Sequence, residues 1–171
     1  MNEFEKLSLF LRPPGKGVYA GSTGREMAHA LLKKIYGTAE PSRVDALWTK
    51  NSKDIATANI ILLGCPSDTG AGIVRGSNMA PLALRQTLYK DKKFQGWIRQ
   101  RQVLDIGDVV VIPQLLEDEM LSPRQLEQSR RYLYPAGNLG PVSPLSILRE
   151  VAHMLFTLNP KLKIMLLGGD H

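Results

Sequence analysis

The strongest constraint on the fold is a short apolar run near the end of the chain. Residues 164–167 are Ile-Met-Leu-Leu, and Gly168, Gly169, Asp170 and His171 follow them directly. An uninterrupted apolar run before paired glycines is typical of a strand buried on both faces of a parallel sheet. The carboxyl ends of such strands are where α/β proteins place their sites. Imidazole is a common metal ligand that an adjacent carboxylate can orient, so this end of the strand is a candidate metal site.

Two earlier stretches predict strands of the same sheet. Residues 59–64 form an apolar run that ends in glycine, and residues 101–111 contain Asp105 and Asp108. Because parallel strands end at one edge, we expect Asp68, Asp105 and Asp108 near the same rim as the final strand. A carboxylate-rich rim attracts divalent metal. Asp108 would alternatively cap a turn.

Helical patterns fill most of the remaining chain. Thr23 and Glu26 have the spacing of a capping box before a helix that ends near Gly37, and residues 38–57 predict loop and turn with a short helical stretch near 44–48. Further helices are predicted over about 81–89, 123–132 and 144–158. We expect residues 1–57 to be a partly helical extension laid on the main sheet, and residues 58–171 to form the α/β domain.

Bulk properties exclude several classes of protein. The 171 residues suit one domain, and 43% hydrophobic residues argue against disorder. The single cysteine, Cys65, excludes an internal disulfide. No stretch approaches the ~20 apolar residues of a membrane helix, and residues 1–6 do not begin a signal peptide. These features predict a cytoplasmic protein without a membrane partner.

The net charge of +6 permits an anionic partner. Its densest basic stretch is 85–101, where aromatic residues are interleaved with lysines and arginines. The stretch favours a solvated helix face and loop over a nucleic-acid patch, because zinc-finger spacing and an arginine-rich tail are both missing from the sequence.

The final motif, Gly168-Gly169-Asp170-His171, resembles the first metal-binding motif of the ureohydrolases, which include arginase, agmatinase, formiminoglutamase and guanidinobutyrase. Three further matches occur in the same order as in that family. The first is a glycine-rich loop that opens a helix, with Ala80 in place of the usual glycine; its matching residues are Gly64, Pro66, Asp68, Gly72, Gly76, Pro81 and Arg85. The others are a strand ending in Gly107-Asp108 and a helix-turn-strand unit before the final motif.

The resemblance implies a three-layer αβα fold with a mainly parallel, arginase-like sheet. It also implies a pair of Mn²⁺ ions bridged by a hydroxide that attacks the carbon of a small linear amidine substrate. Of the family's metal ligands, the chain matches only the first, His171, and it matches none of the catalytic residues. Asp170, Gly168, Gly169, Asp68 and Asp108 are expected to shape or support the site. Because Asp105 and Asp108 do not correspond to metal ligands of the family, the resemblance favours a structural or supporting role for both.

These matches predict a sheet truncated after the strand that carries the first metal ligand. The isolated chain is therefore expected to be inactive, with an exposed apolar strand at the sheet edge. The expected partner is a complementary C-terminal half or further copies in a homo-oligomer. One alternative is a non-catalytic interaction or regulatory module on the same fold. Another is an unrelated basic domain that binds nucleic acid through residues 85–101.

Overall fold

The computed structural model describes residues 3–18 and 24–169, and its centre is a four-stranded sheet. The strands follow the order β1-β3-β2-β4. Strands β2, β3 and β4 are mutually parallel, and only β1 runs antiparallel, along β3. Their bounds are Leu11–Arg12 (β1), Ile60–Cys65 (β2), Val103–Val109 (β3) and Lys163–Gly168 (β4).

Seven α-helices lie in the described part of the chain. They are Glu3–Ser8 (α1), Arg25–Tyr36 (α2), Pro41–Ser52 (α3), Ala80–Leu88 (α4), Lys92–Arg99 (α5), Pro123–Leu133 (α6) and Pro144–Leu158 (α7). Short 3-10 helices cover Lys53–Thr57, Ser77–Met79 and Asp118–Met120.

Side chains of β2 alternate between two hydrophobic clusters, one on each face of the sheet. Ile61, Leu63 and Cys65 join the cluster that contains core residues of α3 and α7. Leu62 joins the opposite cluster, with residues of α2, α4 and α5. Alternation of this kind is how a strand serves two layers at once. The predicted α/β class with a mainly parallel sheet flanked by helices is confirmed.

The short helical stretch predicted near 44–48 lies within α3, but the loop and turn predicted for the rest of 38–57 was wrong, because α3 occupies residues 41–52 and a 3-10 helix follows it. The local reason is an acidic N-cap. The Glu40 carboxylate accepts hydrogen bonds from the backbone N–H groups of Ser42 (3.0 Å) and Arg43 (2.9 Å), and Pro41 occupies the first turn. Glu-Pro-Ser is therefore a helix start in this chain, and not a turn.

The N-terminal lead-in, described over residues 3–18, also contains more regular structure than its Pro13-Pro14-Gly15 sequence indicates. It includes α1 and β1, and β1 extends the sheet by pairing Leu11 with Val109. Thr23, the predicted cap of α2, lies outside the described residues, and the N-cap position is Gly24, without a side-chain cap bond. The predicted capping box of α6 is confirmed, since Ser122 and Gln125 bond each other's backbone N–H groups.

A bulge interrupts the pairing of the two central strands. Leu62 lies opposite Asp105, but Leu63 lies opposite Gly107, so Ile106 has no partner on β2. The Trp48 indole N–H donates to the Ile106 carbonyl at 3.0 Å. Gly107 adopts φ +92°, and a Cβ there would lie 2.0 Å from the Arg12 carbonyl oxygen. The bulge therefore depends on a tryptophan on one face and a glycine where the lead-in crosses β3.

Strand β4 lies at the edge of the described sheet and is poorly covered. Met165 and Leu166 are 44% and 42% exposed, although they point to opposite faces. An apolar edge strand of this kind is a pairing surface. None of the helices in residues 3–18 and 24–169 has the length and hydropathy needed to cross a bilayer.

Replacing Trp48 with phenylalanine tests the indole bond to the bulge. Phenylalanine keeps much of the packing but leaves the buried Ile106 carbonyl without that donor, so we expect a loss of about 1–2 kcal/mol in unfolding free energy. Trp97→Phe is the matched control, because Trp97 is 44% exposed on α5, and it should change stability by less than about 0.5 kcal/mol. Urea denaturation followed by far-UV circular dichroism measures both. Equal midpoints for the two variants would contradict the assignment.

Candidate active site at the carboxyl ends of the parallel strands

Strands β2, β3 and β4 end at one edge of the sheet, at Cys65, Val109 and Gly168. One residue past β4, the Gly169 N–H still donates to the Cys65 carbonyl at 3.1 Å. A Cβ at Gly169 would lie only 1.8 Å from the Ser67 carbonyl oxygen. Glycine is therefore needed where the chain passes the loop that follows β2. Asp170 and His171 lie outside the described residues, and their roles stay predictions.

Asp68 organises the loop after β2. Its carboxylate accepts the Gly76 N–H at 3.1 Å and contacts Arg75 at 3.4 Å, and Arg75 also donates to the Asp68 carbonyl at 2.7 Å. The side chain is nearly buried, at 9% exposure. Asp68 thus closes the segment 68–76, and it leaves Ile73 and Val74 exposed within that segment.

Thr69 joins this loop to the segment that follows β3. Its hydroxyl lies 3.1 Å from the carbonyls of both Pro113 and Leu115 and 3.3 Å from the Ser67 hydroxyl. The two loops at the candidate site are therefore held together by a side chain, independently of the sheet.

Directly beneath this edge, Arg85 of α4 forms a fully buried ion cluster. Its Nε and Nη2 donate to the two Asp105 carboxylate oxygens at 2.9 and 3.0 Å, in a bidentate pair. Its Nη1 donates to Asp108 Oδ1, and Nη2 also donates to the Gly107 carbonyl at 2.8 Å. The planar guanidinium thus bonds two carboxylates and a carbonyl at once, as only arginine can.

Three further groups donate hydrogen bonds to the carboxylates of Asp105 and Asp108. The Tyr89 hydroxyl donates to Asp105 Oδ2 at 3.2 Å, and the Gly107 N–H donates to Asp105 Oδ1 at 3.1 Å. The Gly15 N–H, from the lead-in, donates to Asp108 Oδ2 at 2.7 Å. A buried carboxylate needs such partners to remain charged.

Two glycines provide the space that the cluster occupies. A Cβ at Gly64 would lie 1.9 Å from Asp108 Oδ1 and 2.8 Å from Arg85 Nη1. A Cβ at Gly17 would lie 2.6 Å from the Asp108 Cβ. The glycine that ends the β2 apolar run is therefore required by the ion cluster that packs against it.

Burial alone would lower the pKa of Arg85, but the carboxylates of Asp105 and Asp108 raise it, so the guanidinium stays charged. Burial, and secondarily Asp108, raises the pKa of the Cys65 thiol to about 12. The Cys65 thiol is therefore protonated at neutral pH. The predicted solvated basic side of the 81–89 helix was wrong for Arg85, because a helix pattern does not show that two distant aspartates enclose it.

The described residues do not by themselves fit a metal pair. Within 3–18 and 24–169 there is no group of three or more His, Cys, Asp or Glu side chains that could hold an ion. Asp105 and Asp108 are engaged by Arg85, and Asp68 by its own loop. His29 and His153 are exposed on α2 and α7. Any ligand set would have to include residues beyond those described.

Sequence reasoning missed Gly15 and Tyr89 as partners of the predicted aspartates. Tyr89 is the C-cap of α4, four residues after Arg85, and this spacing indicates that the two side chains lie on the same face of the helix. Gly15 bonds across 93 residues of chain, and no local pattern shows such a contact.

One protein-family model matches the part of the chain that contains these strand ends, the loop after β2 and Arg85. The family model described as "Arginase family" matches residues 58–171. The chain belongs to the arginase family. The match begins just before β2 and includes the whole edge described above, which indicates a ureohydrolase-type hydrolase domain. Searches of curated proteins and of solved structures found no match.

Replacing Arg85 with methionine in this arginase-family chain tests the ion cluster. The change leaves Asp105 and Asp108 buried without their cation, so we expect a loss of about 3–5 kcal/mol in unfolding free energy. Arg124→Met, at an exposed position of α6, is the matched control and should stay within about 0.5 kcal/mol of wild type.

A rescue variant separates lost charge from lost packing. Adding Asp105→Asn and Asp108→Asn to Arg85→Met removes both uncompensated charges, and stability should partly recover. Denaturant midpoints measure all three proteins. A triple variant less stable than Arg85→Met would show that the cluster is not held by charge balance.

Proposed function

We propose that this chain contributes to a manganese-dependent hydrolase of small linear amidines, with His171 as a metal ligand and Asp170 as its orienting neighbour. The observation that carries the proposal is family membership over residues 58–171, which includes the Gly168–His171 motif. Bound Mn²⁺ would supply a water of lowered pKa and stabilise developing negative charge.

The described residues support a positioning role for the chain. The contact between Gly169 and Ser67 fixes the end of β4 beside the loop that contains Asp68. The Arg85 cluster holds β3 and α4 rigid beneath that edge. Rigid support of this kind is what a metal ligand needs to keep its geometry.

We further propose that the 171-residue chain alone does not turn over substrate. His171 is the one position that matches a family metal ligand, and the described carboxylates at this edge are already engaged. Manganese held by one imidazole and one carboxylate is bound weakly, because affinity grows with the number of preorganised ligands.

A second candidate function is a non-catalytic interaction module on the arginase-like fold. The exposed apolar residues of edge strand β4 favour it. Under either function, we propose that this edge pairs with a further strand, from a complementary C-terminal half or from another copy of the chain.

Manganese titration distinguishes the two functions. Free Mn²⁺ is followed by electron paramagnetic resonance as it is added to wild type, His171→Ala and His153→Ala. His153 is exposed on α7, so it is the matched control. We expect weak but saturable binding by wild type and the control, and binding at least about tenfold weaker in His171→Ala.

Equal binding by all three proteins, or no binding, would remove His171 as a ligand and favour the interaction module.

In parallel, the wild-type chain with Mn²⁺ is assayed for urea release from arginine, agmatine and guanidinobutyrate and for formamide release from formiminoglutamate. We expect none from the chain alone. Turnover would contradict the proposed inactivity of the chain alone and would support the proposed hydrolase function.

Replacing Met165 with lysine tests the open edge. A charge on an apolar edge strand opposes strand pairing, so we expect the mass measured by light scattering after size exclusion to fall toward that of a monomer. Met120→Lys is the matched control, since Met120 is 71% exposed away from the sheet. An unchanged mass distribution in Met165→Lys would show that this edge does not mediate association.

A further inference from the structure

A cavity opens at the end of the sheet opposite the candidate active site. Its lining includes Thr57 and Ala58, just before β2, and Val103 and Leu104, which begin β3. Along the strands the lining extends to Asp105, which lies opposite Leu62, so about 10 Å of β2 separates the cavity from the carboxyl end of that strand at Cys65. The cavity is therefore distinct from the edge where Gly168 and Gly169 lie.

The cavity lining carries more positive than negative charge. The three lining cations are Lys34, Arg99 and Arg101, and the two acids are Asp54 and Asp105. Both acids are already paired, Asp54 with Arg101 and Asp105 with the buried Arg85. Within the part of the chain that the structure describes, Lys34 and Arg99 have no carboxylate partner.

A phenol adds a neutral donor beside these cations. Tyr36 lines the cavity, and its hydroxyl bonds to no other described residue. Burial, and secondarily Asp105, raises the pKa of Tyr36, so the hydroxyl keeps its proton at neutral pH. Tyr89 also lines the cavity, but its hydroxyl already donates to Asp105.

The backbone at the third cation is unusual. Arg101 adopts φ 56°, and it is the one described non-glycine residue with positive φ. Its N–H bonds the Ile98 carbonyl at 3.1 Å, and the next N–H bonds the Trp97 carbonyl at 2.9 Å, which closes the end of α5. Glycine fits this conformation without steric cost, whereas arginine brings a side chain to the cavity and to Asp54.

We infer that this cavity binds a small organic anion, with Arg99 and Lys34 holding its phosphate or carboxylate and Tyr36 donating a hydrogen bond. A guanidinium and an ammonium both bind such anions, and arginine does so through paired N–H groups. Ile35, Ile98 and Leu104 give the cavity apolar walls, which suit a ligand that also has an apolar body.

A structural explanation competes with this inference. Lys34 and Arg99 lie in the last turns of α2 and α5, where cations compensate the partial negative charge of a helix end. That explanation predicts that removing either cation lowers stability without affecting ligand binding. The two explanations therefore differ in the ligand affinity that they predict for the Lys34 and Arg99 variants.

The test is isothermal titration of the wild-type chain with phenyl phosphate, benzoate and inorganic phosphate at constant ionic strength. We expect saturable binding of at least one aromatic anion, and the phosphate and benzoate arms identify the headgroup. Removing one charge-assisted contact should weaken binding about tenfold in Arg99→Gln and in Lys34→Gln. Tyr36→Phe should weaken it several-fold with the fold intact.

Arg124→Gln, on the exposed face of α6 and outside the cavity, is the matched control and should bind like wild type. His171→Ala should also bind like wild type, because the cavity does not include the candidate metal edge. No saturable binding, or equal weakening in Arg124→Gln, would overturn the inference and leave Lys34 and Arg99 as helix-end cations. Thermal melts of each variant confirm that it is folded.

Discussion

The rest of this structure depends on one buried cation. Arg85 is completely inaccessible to solvent, and its charge is tolerable only because two aspartates and a carbonyl surround it. Those partners come from a single strand, so the cluster fixes how α4 lies on β3. It also explains why Gly64 ends the apolar part of β2, since a side chain there would fill the space of the ion pair. The Arg85 ion cluster therefore both holds α4 against β3 and lies beneath the candidate site.

The elements that the sequence predicted well are those with a local physical signature. The apolar runs became β2 and β4, and the Ser-Pro starts became α6 and α7, because these patterns act over a few residues. The failures have equally local causes. Helix α3 was predicted only over its middle, near 44–48, because glutamate is an uncommon N-cap, and β1 was missed because two residues carry no periodic pattern.

The candidate site was predictable only in part. Parallel strands bring Cys65, Val109 and Gly168 to one edge, as their order in the sequence suggests. The sequence did not reveal that Asp105 and Asp108 turn inward to a shared arginine and not outward to the rim. Their partners are 20 and 23 residues away, on an element whose helical pattern alone made Arg85 look like a surface residue.

The bond from Gly15 to Asp108 gives the chain a folding problem of its own. It joins groups 93 residues apart, so the cluster is complete only when the N-terminal segment has reached β3. Loop closure over such a distance is entropically costly, and proteins rich in distant contacts fold slowly. During synthesis, Gly15 emerges long before Asp108, so its N–H group has no carboxylate to bond until β3 has been made. The ion cluster therefore gains its donor from the N-terminal segment only when that segment lies against the end of β3.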